Sequence, residues 1–245
     1  MLSVAVITYN EERRLADCLR SVPFADEIVV LDSGSTDRTR HIAAELNARV
    51  SVRNFDNFAA QKNAAIEMTR GNWVLLLDAD ERVSPALAAE IRGLLSKPAS
   101  FDAYYLNRLN VLFGRKMRFG ANAADRQLRL MRRDYGRFEG LVHERITPRA
   151  RAGRLKGELM HVSTRTVGEY FVKFALFSSL EAELAVRRGT PAGRHLLTRP
   201  FLRFVYFYVF KLGFLDGFQG FVFHVLGAYY EFVRRAKHWE RVNIR

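Results

Sequence analysis

Apolar positions in the first eighty residues fall into short runs separated by amphipathic segments. Residues 3–8, 27–32, 49–52 and 73–78 read as strands, and residues 11–22, 36–46 and 58–69 between them carry helical spacing. Strand, helix and strand in repetition predict a mostly parallel, Rossmann-like α/β sheet, in which ligands bind at the carboxyl ends of the strands. The residues at those ends are polar: Thr8-Tyr9-Asn10-Glu11, then Asp32-Ser33-Gly34-Ser35-Thr36-Asp37, then Asp78-Ala79-Asp80-Glu81.

From residue 101 to 133 the pattern breaks into aromatic and basic pieces that predict short antiparallel strands and loops. After His161 it becomes helical, with Tyr170, Phe174, Phe177 and Leu180 on one face of residues 167–189, a break at 189–193, and an aromatic tail at 201–232. The expected division is therefore an α/β domain over 1–165 and a helical, aromatic-rich C-terminal region over 166–245. The longest uncharged stretch of the tail, residues 217–230, is shorter than the ~18 residues a spanning helix needs. Its aromatics are bracketed by Arg199, Arg203, Lys211, Arg234, Arg235 and Lys237, a composition that predicts a segment lying in an anionic membrane interface. A buried helix pair with a solvated basic end fits the same pattern.

Composition adds a core and a charge. With 49% hydrophobic and 12% aromatic residues the chain is not disordered, and 39 Lys and Arg against 26 Asp and Glu give a net charge of +13, which calls for an anionic partner. Nucleic acid is not expected, because the aromatics gather in the tail and the acidic strand ends repel phosphate unless a metal intervenes. The single cysteine, Cys18, excludes an internal disulfide, and the N-terminus lacks the basic-then-apolar order of a signal peptide. The location expected from these features is cytoplasmic, peripherally associated with the inner membrane.

Asp78 and Asp80, at alternate positions where a buried strand emerges, are hard oxygen donors suited to Mg²⁺ or Mn²⁺, which would bridge the phosphate oxygens of a substrate. They also suit the start of a helix at Ser84-Pro85. The turn from Asp32 to Asp37 exposes backbone N–H groups, with Asp32 placed to accept from a base or ribose and Ser35 or Thr36 to cap the next helix. Arg126, Arg129, Arg132 and Arg133, with Arg115, Lys116 and Arg118, form the densest basic region. They read either as forks for a diphosphate or phosphorylated acceptor or as the exposed side of an ordinary strand.

The ordered set TYNEE, DSGSTD, QKNAA and DAD resembles the nucleotide-sugar domain of the family 2 glycosyltransferases, inverting enzymes of GT-A fold. The resemblance implies a nucleoside diphosphate sugar donor, most simply a UDP-sugar. Thr8, Tyr9, Asn10, Glu11, Asp32 and Ser33 would surround the nucleotide, with Lys62 near the base or pyrophosphate and Arg129 on the diphosphate. Asp78 and Asp80 would hold the divalent cation, and His161 would complete its shell. The acceptor hydroxyl must lose a proton as it attacks, and the carboxylates available in Phe138-Glu139-Gly140-Leu141-Val142-His143-Glu144 make Glu144 the preferred base and Glu139 the second. The segments around His143-Glu144, His161-Val162-Ser163 and Gly213–Phe218 further resemble the bacterial lipopolysaccharide core glucosyltransferases, and imply transfer of glucose to a lipid-linked glycan acceptor at the envelope. Polyprenyl phosphate or an exopolysaccharide precursor are the alternative acceptors, and a non-catalytic basic protein binding nucleic acid or membrane is the alternative of another class.

Overall fold

The computed structural model describes residues 1–123, 125–140, 145–146, 151–193 and 195–244. In chain order the elements are β1 (Leu2–Thr8), α1 (Leu15–Arg20), β2 (Glu27–Asp32), α2 (Thr39–Glu45), β3 (Arg49–Val52), α3 (Phe58–Glu67), β4 (Trp73–Asp78), β5 (Glu81–Val83) and α4 (Pro85–Leu95). There follow β6 (Ala103–Leu112), β7 (Arg115–Met117), β8 (Arg126–Arg132), β9 (Phe138–Glu139), β10 (Arg145–Ile146), β11 (Gly153–Thr164), α5 (Val167–Arg187), α6 (Thr198–Phe204) and α7 (Gly217–Asn243). They form two compact units, one of Met1–Arg108 with Asp125–His161 and the other of Leu109–Ala124 with Val162–Arg245. Residues 109–124 thus group with the C-terminal helices.

The first unit is built on a sheet in the order β3-β2-β1-β4-β8-β6-β11-β5. β3, β2, β1 and β4 are parallel, β8 joins β4 antiparallel, and β11 pairs antiparallel with β5. Both faces are covered, which explains why the central strands read as unbroken apolar runs. Val4, Val6, Leu75 and Leu77 pack with Leu15 of α1, Ala43 of α2 and Leu87 and Ile91 of α4, whereas Ala5, Ile7, Val74 and Leu76 pack with Ala59, Ala65 and Ile66 of α3. Ser84 caps α4 by accepting from the Leu87 N–H, and Pro85 occupies the first helical turn, as the sequence predicts.

β8 departs from one of the two readings offered above. It is no exposed edge, because it is hydrogen-bonded between β4 and β6, so Leu128, Arg129, Leu130 and Met131 are all buried. The second unit contains the β6–β7 hairpin end and the helices α5, α6 and α7. Phe174 of α5 lies 5.4 Å from Tyr229 and 5.3 Å from Tyr230 of α7, and the Lys237 ammonium donates to the hydroxyls of Ser178 and Ser179 at 2.8 Å each.

Candidate active site

The first two strand ends are latched to each other. Asn10 takes a positive φ of 52°, which asparagine tolerates, and its backbone N–H donates to Ser35 Oγ at 2.8 Å while its Oδ1 accepts from the Thr36 N–H at 2.8 Å. The Glu11 N–H donates to Thr39 Oγ1 at 2.8 Å, and the carboxylate of Glu11 pairs with Arg14 at 2.9 Å. Asp32 is fully buried, and its carboxylate accepts from the N–H groups of Gly34 and Ser35, at 3.0 and 2.8 Å, and from the Ser35 hydroxyl. That gives the terminal aspartate of β2 a structural task, pinning the turn that follows. Neither Ser35 nor Thr36 caps α2: Ser35 is engaged by Asp32, the N-cap position is Arg38 without a side-chain capping bond, and just ahead of the helix Asp37 Oδ1 accepts from the Thr39 N–H at 2.9 Å. Ser33 accepts from Gln61 at 2.9 Å, and Tyr9 is exposed. Thr8 Oγ1 is buried and has no hydrogen-bond partner among the described residues, a condition polar groups in folded interiors rarely keep without a ligand or water.

At the end of β4 five charged side chains converge. Arg129 Nη2 donates to Asp78 Oδ2 at 2.5 Å and to Glu81 Oε1 at 2.7 Å, and the Lys62 ammonium lies 3.9 Å from Asp78 Oδ1. Glu81, with no exposed surface, also accepts from the Asp78 N–H at 3.0 Å, and Arg108 lies 3.6 Å from it. Burial pushes the Asp78 carboxyl up, but the Arg129 guanidinium and then Lys62 overcome it and hold Asp78 below the usual carboxylate range. Burial dominates at Glu81, whose carboxyl is raised although Arg129 pulls it down. The same two carboxylates raise the Arg129 guanidinium against its own burial. Arg129 is thus absorbed in the protein's own charge balance, and Asp78 is the carboxylate it neutralises.

Asp80 stands between Asp78 and Glu81 in the chain and meets His161 of β11. The antiparallel register of β11 on β5 sets His161 opposite Glu81, and this places His161 Nε2 3.4 Å from Asp80 Oδ2. Both side chains remain partly accessible, at 17% for His161 and 11% for Asp80. Among the described residues no group of three His, Cys, Asp or Glu side chains is gathered as a metal cage. An imidazole nitrogen and one carboxylate oxygen nevertheless fit Mn²⁺, and the carboxylate alone fits Mg²⁺, in the form these ions take with nucleotides, with few protein donors and the remaining positions left to phosphate and water.

The segment that the sequence offers for the base, residues 138–144, is described as far as Gly140. Asn63 of α3 accepts from the Phe138 N–H at 2.8 Å and donates to its carbonyl at 2.9 Å, fixing the start of β9, and Lys62 lies 5.6 Å from the centre of the Phe138 ring. Glu139 follows, exposed and in register with Arg145. Glu144 and His143 lie outside the described residues. Glu81 and Arg108 were missed in the sequence, and the one signal for Glu81 was a third acid directly after Asp78-Ala79-Asp80.

The family model "Glycosyl transferase family 2" matches residues 3–153. This chain belongs to the family 2 glycosyltransferases. The "lipopolysaccharide core biosynthesis glycosyltransferase LpsC" of Rhizobium meliloti (strain 1021) is 32% identical over 98% of this chain and 92% of that protein. An uncharacterized glycosyltransferase of Rickettsia typhi is 30% identical over 96% of this chain and 86% of its own length. Among solved structures the chain is similar to the 1–349 portion of S. aureus TarS, with 16% identity, a TM-score of 0.49 and coverage of 100% of this chain and 92% of that one. It is also similar to Mycobacterium tuberculosis glucosyl-3-phosphoglycerate synthase in complex with Mn²⁺, UDP-glucose and glycerol 3-phosphate, with 23% identity over 45% and 44% of the two chains and a TM-score of 0.39.

The fold of this glycosyltransferase is the GT-A fold of its family, an α/β nucleotide-sugar domain followed by aromatic-rich helices. Its buried charge network makes a stability prediction. Arg129→Met leaves Asp78 and Glu81 without their shared cation and is expected to cost about 3–5 kcal/mol, the scale of breaking one side of a buried ion pair. Urea unfolding of Arg129→Met and of the double variant Arg129→Met/Glu81→Gln checks it: the double variant should recover part of the loss. An Arg129→Met midpoint equal to wild type would contradict the network.

Proposed function

We propose that this enzyme transfers a single sugar, glucose, from a UDP donor with inversion, using Mg²⁺ or Mn²⁺, to a lipopolysaccharide core or other lipid-linked acceptor at the cytoplasmic side of the inner membrane. The observation that carries the donor and metal part is the Asp80–His161 pair at the strand ends, beside an Asp78 whose charge Arg129 already compensates. The acceptor class is supported by the near full-length similarity to a lipopolysaccharide core biosynthesis glycosyltransferase.

Asp80 and His161 are the residues that would hold the cation, which, when bound, supplies Lewis-acid stabilisation of the departing diphosphate. Lys62, buried between Asp78 and Phe138, adds a fixed positive charge on the donor side. The latched turns of residues 8–11 and 32–36 present a rigid edge to the nucleotide, and Thr8 Oγ1 offers it an unmet hydrogen bond. Glu144, or Glu139 in its place, takes the proton of the acceptor hydroxyl as the new C–O bond forms and the bond from the anomeric carbon to the phosphate oxygen breaks.

Calorimetric titration with UDP tests the donor side. Binding is expected in Mn²⁺ and is expected to weaken at least tenfold in EDTA or in His161→Ala. Equal affinity in all three conditions would remove the metal from the site.

A further inference from the structure

We infer that the face of the second unit centred on the break between α6 and α7 is a docking surface for an anionic phospholipid bilayer, its aromatics entering the acyl boundary and Arg115, Lys116, Arg118 and Lys211 meeting lipid phosphates. The inference rests on the proposal above that the acceptor is membrane-bound, and three of its cations, Arg115, Lys116 and Arg118, are ones that the sequence pattern had offered to a diphosphate.

Three observations carry it. The first is shape. Among the described residues no single helix is long and apolar enough to cross a membrane, but the segments Thr198–Phe210 and Gly213–Asn243 are together apolar enough and are bent by 75° at the break. The second is exposure: Phe210 and Phe218 stand 73% and 75% exposed, with Leu212, Phe214 and Leu215 exposed between them. An apolar surface of this kind marks an interaction site in a folded protein.

The third is the distribution of charge. Asp216 is the one acidic residue within 197–230, and 109–122 contains none. Asp216 is turned inward, 3% exposed, and accepts from the N–H groups of Arg118 and Phe119 at 3.0 Å each. The Gly120 N–H donates to the Lys211 carbonyl at 2.9 Å, and the His224 ring lies so close to Gly120 and Gly213 that a Cβ at either would collide with it. The break is thereby fastened to the residues that follow β7, and the N–H groups of Lys211 and Leu212 donate to the carbonyls of Tyr206 and Val209, bonds within the protein that suit an element entering the lipid boundary. Fastening brings the cations to the same place. Arg115 donates to the Leu215 carbonyl at 3.5 Å, and Lys116, Arg118 and Lys211 are exposed around the aromatics. The acid points in and the bases point out. The face therefore presents apolar and cationic groups together, which matches an anionic bilayer and not a neutral one.

The test is sedimentation of the full chain with vesicles of phosphatidylcholine alone or with 30% phosphatidylglycerol, at about 0.15 M salt. Wild type is expected to bind the anionic vesicles only. K116E/R118E/K211E should bind them about 100-fold more weakly, on the basis of roughly one order of magnitude or less per lost cation, and F210S/F218S should fail even at higher anionic content. Circular dichroism and Tm confirm that both variants fold. Charge-variant binding equal to wild type overturns the proposal. A loss of UDP affinity in place of vesicle affinity also overturns it and returns the cations to the diphosphate. No vesicle binding by wild type, together with a dimer that F210S/F218S dissolves, assigns the face to a second copy. In these cases release of UDP from the donor in the presence of a soluble core acceptor still reports on the transferase reading separately.

Discussion

Replacing Glu144 by Gln is expected to lower turnover by about 10²–10⁴-fold while leaving UDP affinity within twofold of wild type, because a base on the acceptor side acts in the chemical step and not on the donor. The Gln side chain keeps the size and hydrogen-bonding reach of Glu but cannot take a proton. Glu139→Gln is the comparison, since Glu139 occupies an exposed position on β9 held in place through Asn63 and Phe138. Steady-state kinetics on both variants separates them. Normal turnover in Glu144→Gln with loss in Glu139→Gln moves the base to β9, and normal turnover in both places it elsewhere.

Asp80→Ala is expected to lower transfer by at least about 10²-fold and to abolish its response to added Mn²⁺, the scale associated with losing a positioned electrostatic element. The charge network makes this effect specific. Asp78 is bound to Arg129 at 2.5 Å and approached by Lys62, so it is not poised to replace Asp80, and His161 would be left as a single donor. The assay is UDP release over a Mn²⁺ titration. Wild-type kinetics in the variant, with full activity in EDTA, would show that Asp80 holds no cation.

The strands that carry the site were legible because a sheet covered on both faces needs unbroken apolar runs, and the polar residues at their ends stand out against them. β2, β3 and β4 begin and end where the pattern places them. The helices were legible as segments and not as boundaries. Residues 11 and 12 carry helical spacing, yet α1 begins at Leu15, since the backbone of Glu11 and Glu12 bonds to Thr39 and Asp37 across the crevice. α2 begins at Thr39 for the complementary reason.

The buried ion network was not legible. Arg129 and its partner Glu81 are 48 residues apart, and alternation of Arg with Leu looks the same in a surface strand as in a central one. Only the pairing of β8 between β4 and β6 buries the guanidinium. The family resemblance put His161 in the cation's shell with Asp80, but no local pattern records that closeness, which follows from the β5–β11 register. Likewise the cations of residues 115–118 belong beside the helix break through bonds spanning about a hundred positions of chain.

The most direct test of the account is transfer itself, measured by mass spectrometry for mass and by NMR for anomeric configuration, with a panel of UDP-sugars and an isolated lipopolysaccharide core acceptor in Mn²⁺. The account predicts an acceptor heavier by one hexose with UDP-glucose, an anomeric configuration opposite to that of the donor, and no product in EDTA. A product of retained configuration, or one formed equally well without a divalent cation, would contradict it.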